Sequence, residues 1–453
     1  MLRVSVSLLV IYIFALCTPF GSGPKGSDTV NAKVLSIDFH IGPVRDVKDL
    51  MLRSPKLRAV EIVDKSLSGH CKLVNTCAKD LRVVNQTNGI SFGNCQNKLQ
   101  LNFWQSYAED KWMKSFDGYL CEYSVAFCEM YMAFGKPMIL IAPTRYETGR
   151  HTREAWHKLN QNLRAISEKP WNTVAANNLY DVEYLKHFTG IDNVLHIPSQ
   201  CLYVKTRYRP VRKEFLVGPS RLSKGAEELL FGIGGLYKHL EQSRVQGAPE
   251  FVPIRKLYQK YEFSDLAQHQ GILVLPYQVS IMSLFEYYAM NIPMFVPSLD
   301  LLIEWQFEHL ILDEISWNCV LSNCAHTSMI MAHRSSKHGY DPNDVLNPSA
   351  LKHWLRYADF YQWPGIIYFD SWDDLINKAQ TADLFSASEK MRSYSHHERM
   401  RTIELWQQIL RKLESAATHT RLNSRRKRFE KHDWEEAVLN NFPSASNTVL
   451  QDC

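Results

Sequence analysis

Residues 271–298 read Gly271-Ile-Leu-Val-Leu-Pro276-Tyr277-Gln278-Val-Ser280-Ile-Met-Ser283-Leu-Phe-Glu286-Tyr-Tyr-Ala289-Met290-Asn291-Ile292-Pro293-Met-Phe-Val-Pro-Ser298. An apolar strand runs into a short polar turn, then a helix, then a second strand introduced by Pro293. In open α/β sheets, ligands bind outside the carboxyl ends of the strands. The helix after the turn offers free N–H groups and a partial positive charge to a phosphate. Gln278 and Ser280 in the turn are candidate contacts, and Glu286 is placed to accept hydrogen bonds from ligand hydroxyls. A second reading of Glu286 stands beside this one. Ser283-Leu-Phe-Glu286 matches a capping box, in which the Glu folds back onto the N-cap amide.

Working outward, the same alternation of strand and helix fills most of the chain, which argues for parallel α/β architecture. Val34–Phe39 reads as a first buried strand ending at His40-Ile41-Gly42-Pro43, followed by a helix over Val44–Leu52. Further strands are expected at Ala59–Val63, Phe116–Tyr119, Met138–Ala142, Val174–Asn177 and Asn193–Pro198. Residues 66–97 read as a long loop, and Ser124–Phe134 as a helix. Tyr203–Lys213, with Pro210 and alternating basic residues, reads as a linker. The pattern restarts with Glu214–Gly218 and a helix over Ala226–Leu240, and ends with a strand at Gly365–Phe369. A long amphipathic helix over Ser388–Ala416 closes it. At 453 residues the chain suits two α/β lobes of roughly 180 residues each.

The segment around Glu286 resembles the C-terminal nucleotide-binding motif of GT-B glycosyltransferases, in which a helix reads Glu-Ala-Met-Ala-x-Gly-x-Pro. Here Glu286-Tyr-Tyr-Ala289-Met290-Asn291-Ile292-Pro293 is in register at the Glu and the Pro. Retaining members of the group 1 type carry a second Glu eight positions earlier, where this chain has Gln278. Leu216-Val217-Gly218-Pro219-Ser220-Arg221-Leu222-Ser223-Lys224-Gly225 is similar to the first strand and loop of that lobe, at a shorter spacing. There an Arg and a Lys clamp the donor pyrophosphate, neutralising charge that grows as the nucleotide leaves. A solvated loop is the plain alternative for Arg221 and Lys224. Ile366–Leu375 is similar to the closing strand–turn–helix. The resemblance implies two Rossmann-like lobes with a C-terminal crossover helix. It further implies a nucleotide-sugar donor bound by Arg221, Lys224, Gln278, Ser280 and Glu286, with no cofactor and no metal. No Asp-x-Asp triplet sits at a strand end.

In the first lobe, Asp38 and His40 end the first strand beside the cleft such a fold creates. They are the candidate catalytic pair, because inverting members place a base there and His suits neutral pH. A hydrogen-bonded loop histidine is the alternative. Gly42, Thr144 and Arg145 are expected on the acceptor side. His70 has no evident partner.

The charge balance, 52 Lys and Arg against 47 Asp and Glu, gives no footprint for nucleic acid. Arg425-Arg426-Lys427-Arg428 reads as a solvated tail. Val4–Phe20 is an apolar run after Arg3, readable as a cleaved signal peptide or a retained membrane anchor, with a buried first helix or strand as the plain alternative. Signal or anchor alike places the rest in the secretory pathway. The spacings Cys71–Cys77 and Cys319–Cys324 suit short disulfide loops there, and Asn85-Gln86-Thr87 is an acceptor sequon.

The expected organisation is therefore a signal or anchor at 1–23, an acceptor-side lobe at 24–205 and a nucleotide-sugar lobe at 206–385. A crossover helix at 386–420 and a basic tail at 421–453 follow. The expected activity is metal-independent transfer of a hexosyl-type group to a glycan, protein or lipid acceptor, in the Golgi or endoplasmic reticulum or after secretion. The alternatives are a glycan-binding protein that kept the scaffold without catalysis, and an epimerase or phosphorylase on the same scaffold.

Overall fold

The computed structural model describes residues 32–57, 60–86, 96–243, 247–316, 319 and 327–426. Val4–Phe20, Thr87 of the sequon, Cys324 and residues 427–453 lie outside these. Among the described residues no helix is long and apolar enough to cross a membrane.

The first lobe runs β1 (Ala32–Asp38), α1 (Ile41–Arg53), β2 (Val60–Ser66), α2 (Gln96–Tyr107), β3 (Gly118–Cys121), β4 (Met138–Ala142), α3 (Arg153–Ser167), β5 (Thr173–Ala176), α4 (Leu179–Thr189) and β6 (Leu195–His196). Its six strands are all parallel, in the order β2-β1-β3-β4-β5-β6. The second runs β7 (Phe215–Gly218), α5 (Lys224–Phe231), β8 (Phe251–Pro253), β9 (Ile272–Val274), α6 (Met282–Met290), β10 (Met294–Pro297), α7 (Leu299–His309), α8 (Pro348–Leu355), β11 (Ile367–Phe369) and α9 (Trp372–Thr381). Its order is β11-β10-β9-β7-β8, again all parallel. Shorter helical turns are left unnumbered.

Both sheets share one doubly wound topology. The strand order reverses between β1 and β3 in the first lobe and between β7 and β9 in the second. A crevice forms outside the carboxyl ends of the strands at each such switch point.

The helix α10 (Leu384–Arg426) spans both lobes. Met391 is buried in the core that includes the second sheet, while Trp406, Ile409, Leu410 and Leu413 seal one face of the first. Those four fall at the spacing of one helical stripe. Alternation along β1 sends Val34 to that face and Leu35 and Ile37 to the other. Gly118 permits the contact, because a Cβ there would stand 3.0 Å from Leu413 Cδ1 and 2.8 Å from the Pro137 carbonyl oxygen.

Several sequence expectations differ, the third strand lying at Gly118–Cys121 rather than Phe116–Tyr119 among them. Residues 124–134 form successive short turns, Val125–Phe127, Cys128–Tyr131 and Met132–Phe134, rather than one helix. A disulfide from Cys121 in β3 to Cys128 holds that segment against the strand. The helix expected over Ala226–Leu240 breaks at Gly232-Ile-Gly-Gly235, where the chain passes close over its own preceding turn. Part of the expected loop at 66–97 is the start of α2. The Cys71–Cys77 disulfide is formed, Cys319 is disulfide-bonded, and Cys201 is a buried free thiol.

Candidate functional site

A cleft of about 400 Å³ opens between the lobes where the two switch points face each other. His40, Tyr123, Thr144, Arg145 and Asn177 line it from the first lobe, each just beyond the carboxyl end of β1, β3, β4 or β5. Tyr277, Gln278, Ser280 and Ser283 line it from the segment that leaves β9 and enters α6. Glu314 contributes a carboxylate.

The N-terminus of α6 opens into this cleft without a side-chain cap. Its N-cap is Ile281, which has no polar side chain; the Leu284 N–H donates to the Ile281 carbonyl at 2.9 Å, and the Met282 and Ser283 N–H groups have no hydrogen bond among the described residues. The capping box expected at Ser283–Glu286 is absent, because the helix already begins at Met282 and Ser283 lies inside it.

Glu286 points elsewhere. It accepts a hydrogen bond from Tyr203 Oη at 2.8 Å, and the Arg45 guanidinium lies over the Tyr203 ring at 4.2 Å. Burial raises its pKa, with Tyr203 and Arg45 opposing. It does not line the cleft. The expected ligand carboxylate thus serves a junction between α1, the linker and α6.

Residues expected to hold separate substrates hold each other. Arg145 donates to Gln278 Oε1 at 3.0 Å, and Thr144 Oγ1 reaches the same oxygen at 3.4 Å. Arg145 also donates to the Glu314 backbone carbonyl and lies 3.4 Å from the Glu314 carboxylate. Its backbone N–H donates to Asp181, and its φ of 39° is left-handed. Burial works against the charge on Arg145, but Tyr123 and Glu314 outweigh it and hold the pKa above the usual arginine value. Ser280 donates to Asp359, whose carboxyl burial keeps well above the carboxylate range.

Arg221 stacks over Tyr277 at 4.4 Å and pairs with Asp313 at 3.1 Å and Glu314 at 3.3 Å, so carboxylates already neutralise it at the cleft rim. Lys224 is exposed in the first turn of α5 and does not line the cleft. Gly225 packs α5 against the end of α7, since a Cβ there would meet the His309 carbonyl oxygen at 2.1 Å. The expected Arg–Lys pyrophosphate clamp is therefore not assembled.

His40 stands on the cleft as the N-cap of α1. Its Nδ1 accepts the Gly42 N–H at 3.1 Å. The neutral ring consequently carries its proton on Nε2, so it faces the cleft as a donor rather than as a base. Desolvation among the walls of the cleft lowers its pKa, and nearby His70 adds to the effect. By surface area the residue is exposed, yet it sits in a concavity where water is restricted.

Asp38 does not reach the cleft. It is fully buried, accepts from Ser66 Oγ at 2.9 Å and faces Asp64. Burial first, and Asp64 second, push its pKa up to about 9. A protonated, sealed carboxyl cannot orient the His40 ring as a catalytic partner, and Gly42 occupies the nitrogen it would need. Gly42 itself is wedged between lobes, where a Cβ would stand 3.0 Å from His40 Cε1 and 3.2 Å from Met282 Cγ. Asn85 is exposed on its loop.

Tyr123, Asn177, Tyr277 and Glu314 escaped the sequence reading. Setting the third strand at 118–121 rather than 116–119 would have brought Tyr123 to its end. Glu314 follows α7 in an irregular stretch with no periodic signal. Among the described residues no group of His, Cys, Asp and Glu is arranged to hold a metal ion.

No protein-family model matches the chain, and no curated protein matches it. Among solved structures it is similar to the glycosyltransferase SnogD from Streptomyces nogalater, at 13% identity over 84% of this chain and 100% of that one, with a TM-score of 0.39. It is similar also to Arabidopsis thaliana UGT89C1 complexed with UDP-L-rhamnose, at 11% identity over 81% and 93%, TM-score 0.40. A putative UDP-N-acetylglucosamine 2-epimerase from Listeria monocytogenes matches at 11% over 73% and 92%, TM-score 0.30. Independently of these loose superpositions, two facing doubly wound lobes tied by a C-terminal crossover helix are the GT-B layout expected from the sequence.

Proposed function

We propose that this chain is a glycosyltransferase that binds a nucleotide sugar in the interlobe cleft and moves its glycosyl group to a carbohydrate-bearing acceptor. The carrying observation is the uncapped N-terminus of α6 opening into a cleft bounded by both switch points. Backbone N–H groups at that end, with Ser283 beside them, suit a diphosphate without a metal. The donor then lies on the second lobe and the acceptor on the first. His40, as an Nε2–H donor, hydrogen-bonds a hydroxyl or phosphate oxygen and positions it. Opening of the Arg145–Gln278 bond frees both side chains for the ligand. The hexosyl type of the group and the secretory-pathway setting belong to the same proposal. The setting is supported by the disulfides, the sequon and the apolar Val4–Phe20 run.

A glycan-binding protein without catalysis is the second reading. It is favoured by the pairing of Arg221 with Asp313 and Glu314, and by the engagement of Arg145, the one Lys or Arg lining the cleft among the described residues. Thermal-shift screening of nucleotide diphosphates, nucleotide sugars and neutral oligosaccharides separates the two. A nucleotide at one hundred times its Kd stabilises by about 2.7 kcal/mol. Ser283→Asp should leave the apo melting temperature intact or higher, since a carboxylate suits the first helical turn, while abolishing that shift. Stabilisation by oligosaccharides alone would replace the transferase reading with the binding one.

A further inference from the structure

At the opposite end of α1 from the cleft, about 18 Å away along a 13-residue helix, lies a second cavity of about 450 Å³. Arg53 from the end of α1, Lys205 and Arg207 from the linker, and Arg399 from α10 converge on it, with Ala289 of α6 in its wall. No carboxylate lines it among the described residues. Arg53 is partnered by Asp49 on its own helix. Arg207 spends one N–H on the Ala289 carbonyl. Lys205 and Arg399 have no ion pair among the described residues, and Arg399 Nε is buried without a hydrogen-bond partner. The neighbouring acid on α10, Glu398, is held at 2.7 Å by Arg401.

Such a gathering of cations with no carboxylate in the lining leaves a positive potential that attracts an anion. Arg207 and Arg399 line the same cavity, and burial first, then the charge of Arg207, lowers the pKa of Arg399. A guanidinium presents a planar fork of donors that matches a phosphate oxygen pair, and two forks with a lysine suit an anion of two or more charges. The cavity volume accommodates a short polyphosphate or a phosphorylated sugar.

We propose that this cavity is a binding site for a small phosphate-bearing anion, separate from the cleft. The anion bridges α1 of the first lobe, the linker and the crossover helix.

Calorimetric titration at 0.15 M salt with orthophosphate, pyrophosphate, a hexose 6-phosphate and sulfate tests this. The expected result is a site that persists unchanged in Ser283→Asp, which disables only the cleft, and that is weakened at least tenfold in the Arg207→Gln/Arg399→Gln double variant. Tighter binding of the hexose phosphate than of pyrophosphate identifies a sugar phosphate as the ligand, and the reverse identifies a polyphosphate. Should the double variant misfold, Lys205→Gln and Arg207→Gln separately should each weaken binding about threefold. The proposal is overturned if wild type binds none of the anions. Affinity unchanged by these variants, or lost in Ser283→Asp instead, overturns it equally.

Discussion

The guanidinium of Arg145, just past β4, donates at 3.0 Å to Oε1 of Gln278, just past β9. Two strand ends from different sheets are thereby latched across the cleft, and the backbone and carboxylate of Glu314 reinforce the latch on the second lobe.

Truncating Arg145 to Ala should cost about 2–4 kcal/mol, because it strips bonds from a buried charged donor and leaves its acceptors unpaired. It should also let the lobes part. Small-angle scattering would report a larger radius of gyration in Arg145→Ala than in wild type. Identical scattering curves would mean that α10 and the linker alone set the lobe separation.

Gly42→Ala probes the wedge on the other side of the cleft. The added methyl would press on Met282 Cγ and the His40 ring at 3.2 and 3.0 Å, forcing α1 and α6 apart. Nucleotide affinity should fall roughly tenfold, about 1.4 kcal/mol, with a smaller change in melting temperature. His40→Ala removes the cap of α1 and should cost about 1 kcal/mol of stability. Its lowered pKa confines the acid limb of any His40-dependent activity to pH below the ordinary histidine value.

Asp38→Asn is expected to stabilise the protein in alkali. The folded pKa of Asp38, about 9, exceeds the unfolded value of 3.8, so the folded chain retains a proton that the unfolded chain releases. Stability from this group is full below pH 3.8 and is lost as pH rises through 9. Asparagine needs no proton to fill the site. Melting curves from pH 5 to 9 should diverge, with the variant increasingly ahead of wild type as pH rises. Parallel curves would show that Asp38 is ionised in the fold.

Glu286→Gln should leave nucleotide affinity within about twofold while costing about 1 kcal/mol of stability through its bond to Tyr203. A large loss of nucleotide affinity would return Glu286 to the ligand and refute its place in the interlobe junction.

Acid should loosen the segment at 333–338 from α4. His187 is buried, its Nδ1 pairs with Ser336 Oγ at 2.7 Å, and its carbonyl accepts from the His333 N–H at 2.8 Å. Burial first, then His338, lower its pKa from 6.5 to about 4. The unfolded chain therefore takes up a proton between those values that the folded chain refuses, and stability falls as pH drops from 6.5 towards 4. Amide exchange at 333–338 should accelerate over that window, and less so in His187→Gln.

The fold was legible because Leu35, Ile37, Leu140, Leu273 and Val296 sit in apolar strands that turn residues delimit, and most strands are followed by a helical stripe. That pattern is local, and local pattern suffices for parallel α/β order. The site was legible only as a position. Tyr277 to Ser283 did reach the cleft, because strand ends at a switch point must. Which side chains stay unengaged there depends on partners more than ninety residues distant, as Gln278 depends on Arg145 and Arg221 on Asp313 and Glu314. Glu286 matched a motif in register, yet rotation of α6 turned it to Tyr203. No spacing along the chain encodes such pairings.

The crossover helix imposes an order of events on synthesis. Trp406, Ile409, Leu410 and Leu413 roof the face of the first sheet that carries Val34 and Leu120. These roofing residues leave the ribosome roughly two hundred residues after the last strand of that sheet, a delay of about 10–40 s at usual elongation rates. Throughout that interval the nascent first lobe carries an uncovered apolar surface. A chain terminated before Trp406 would carry it permanently, so the segment made last decides whether the segment made first stays in solution.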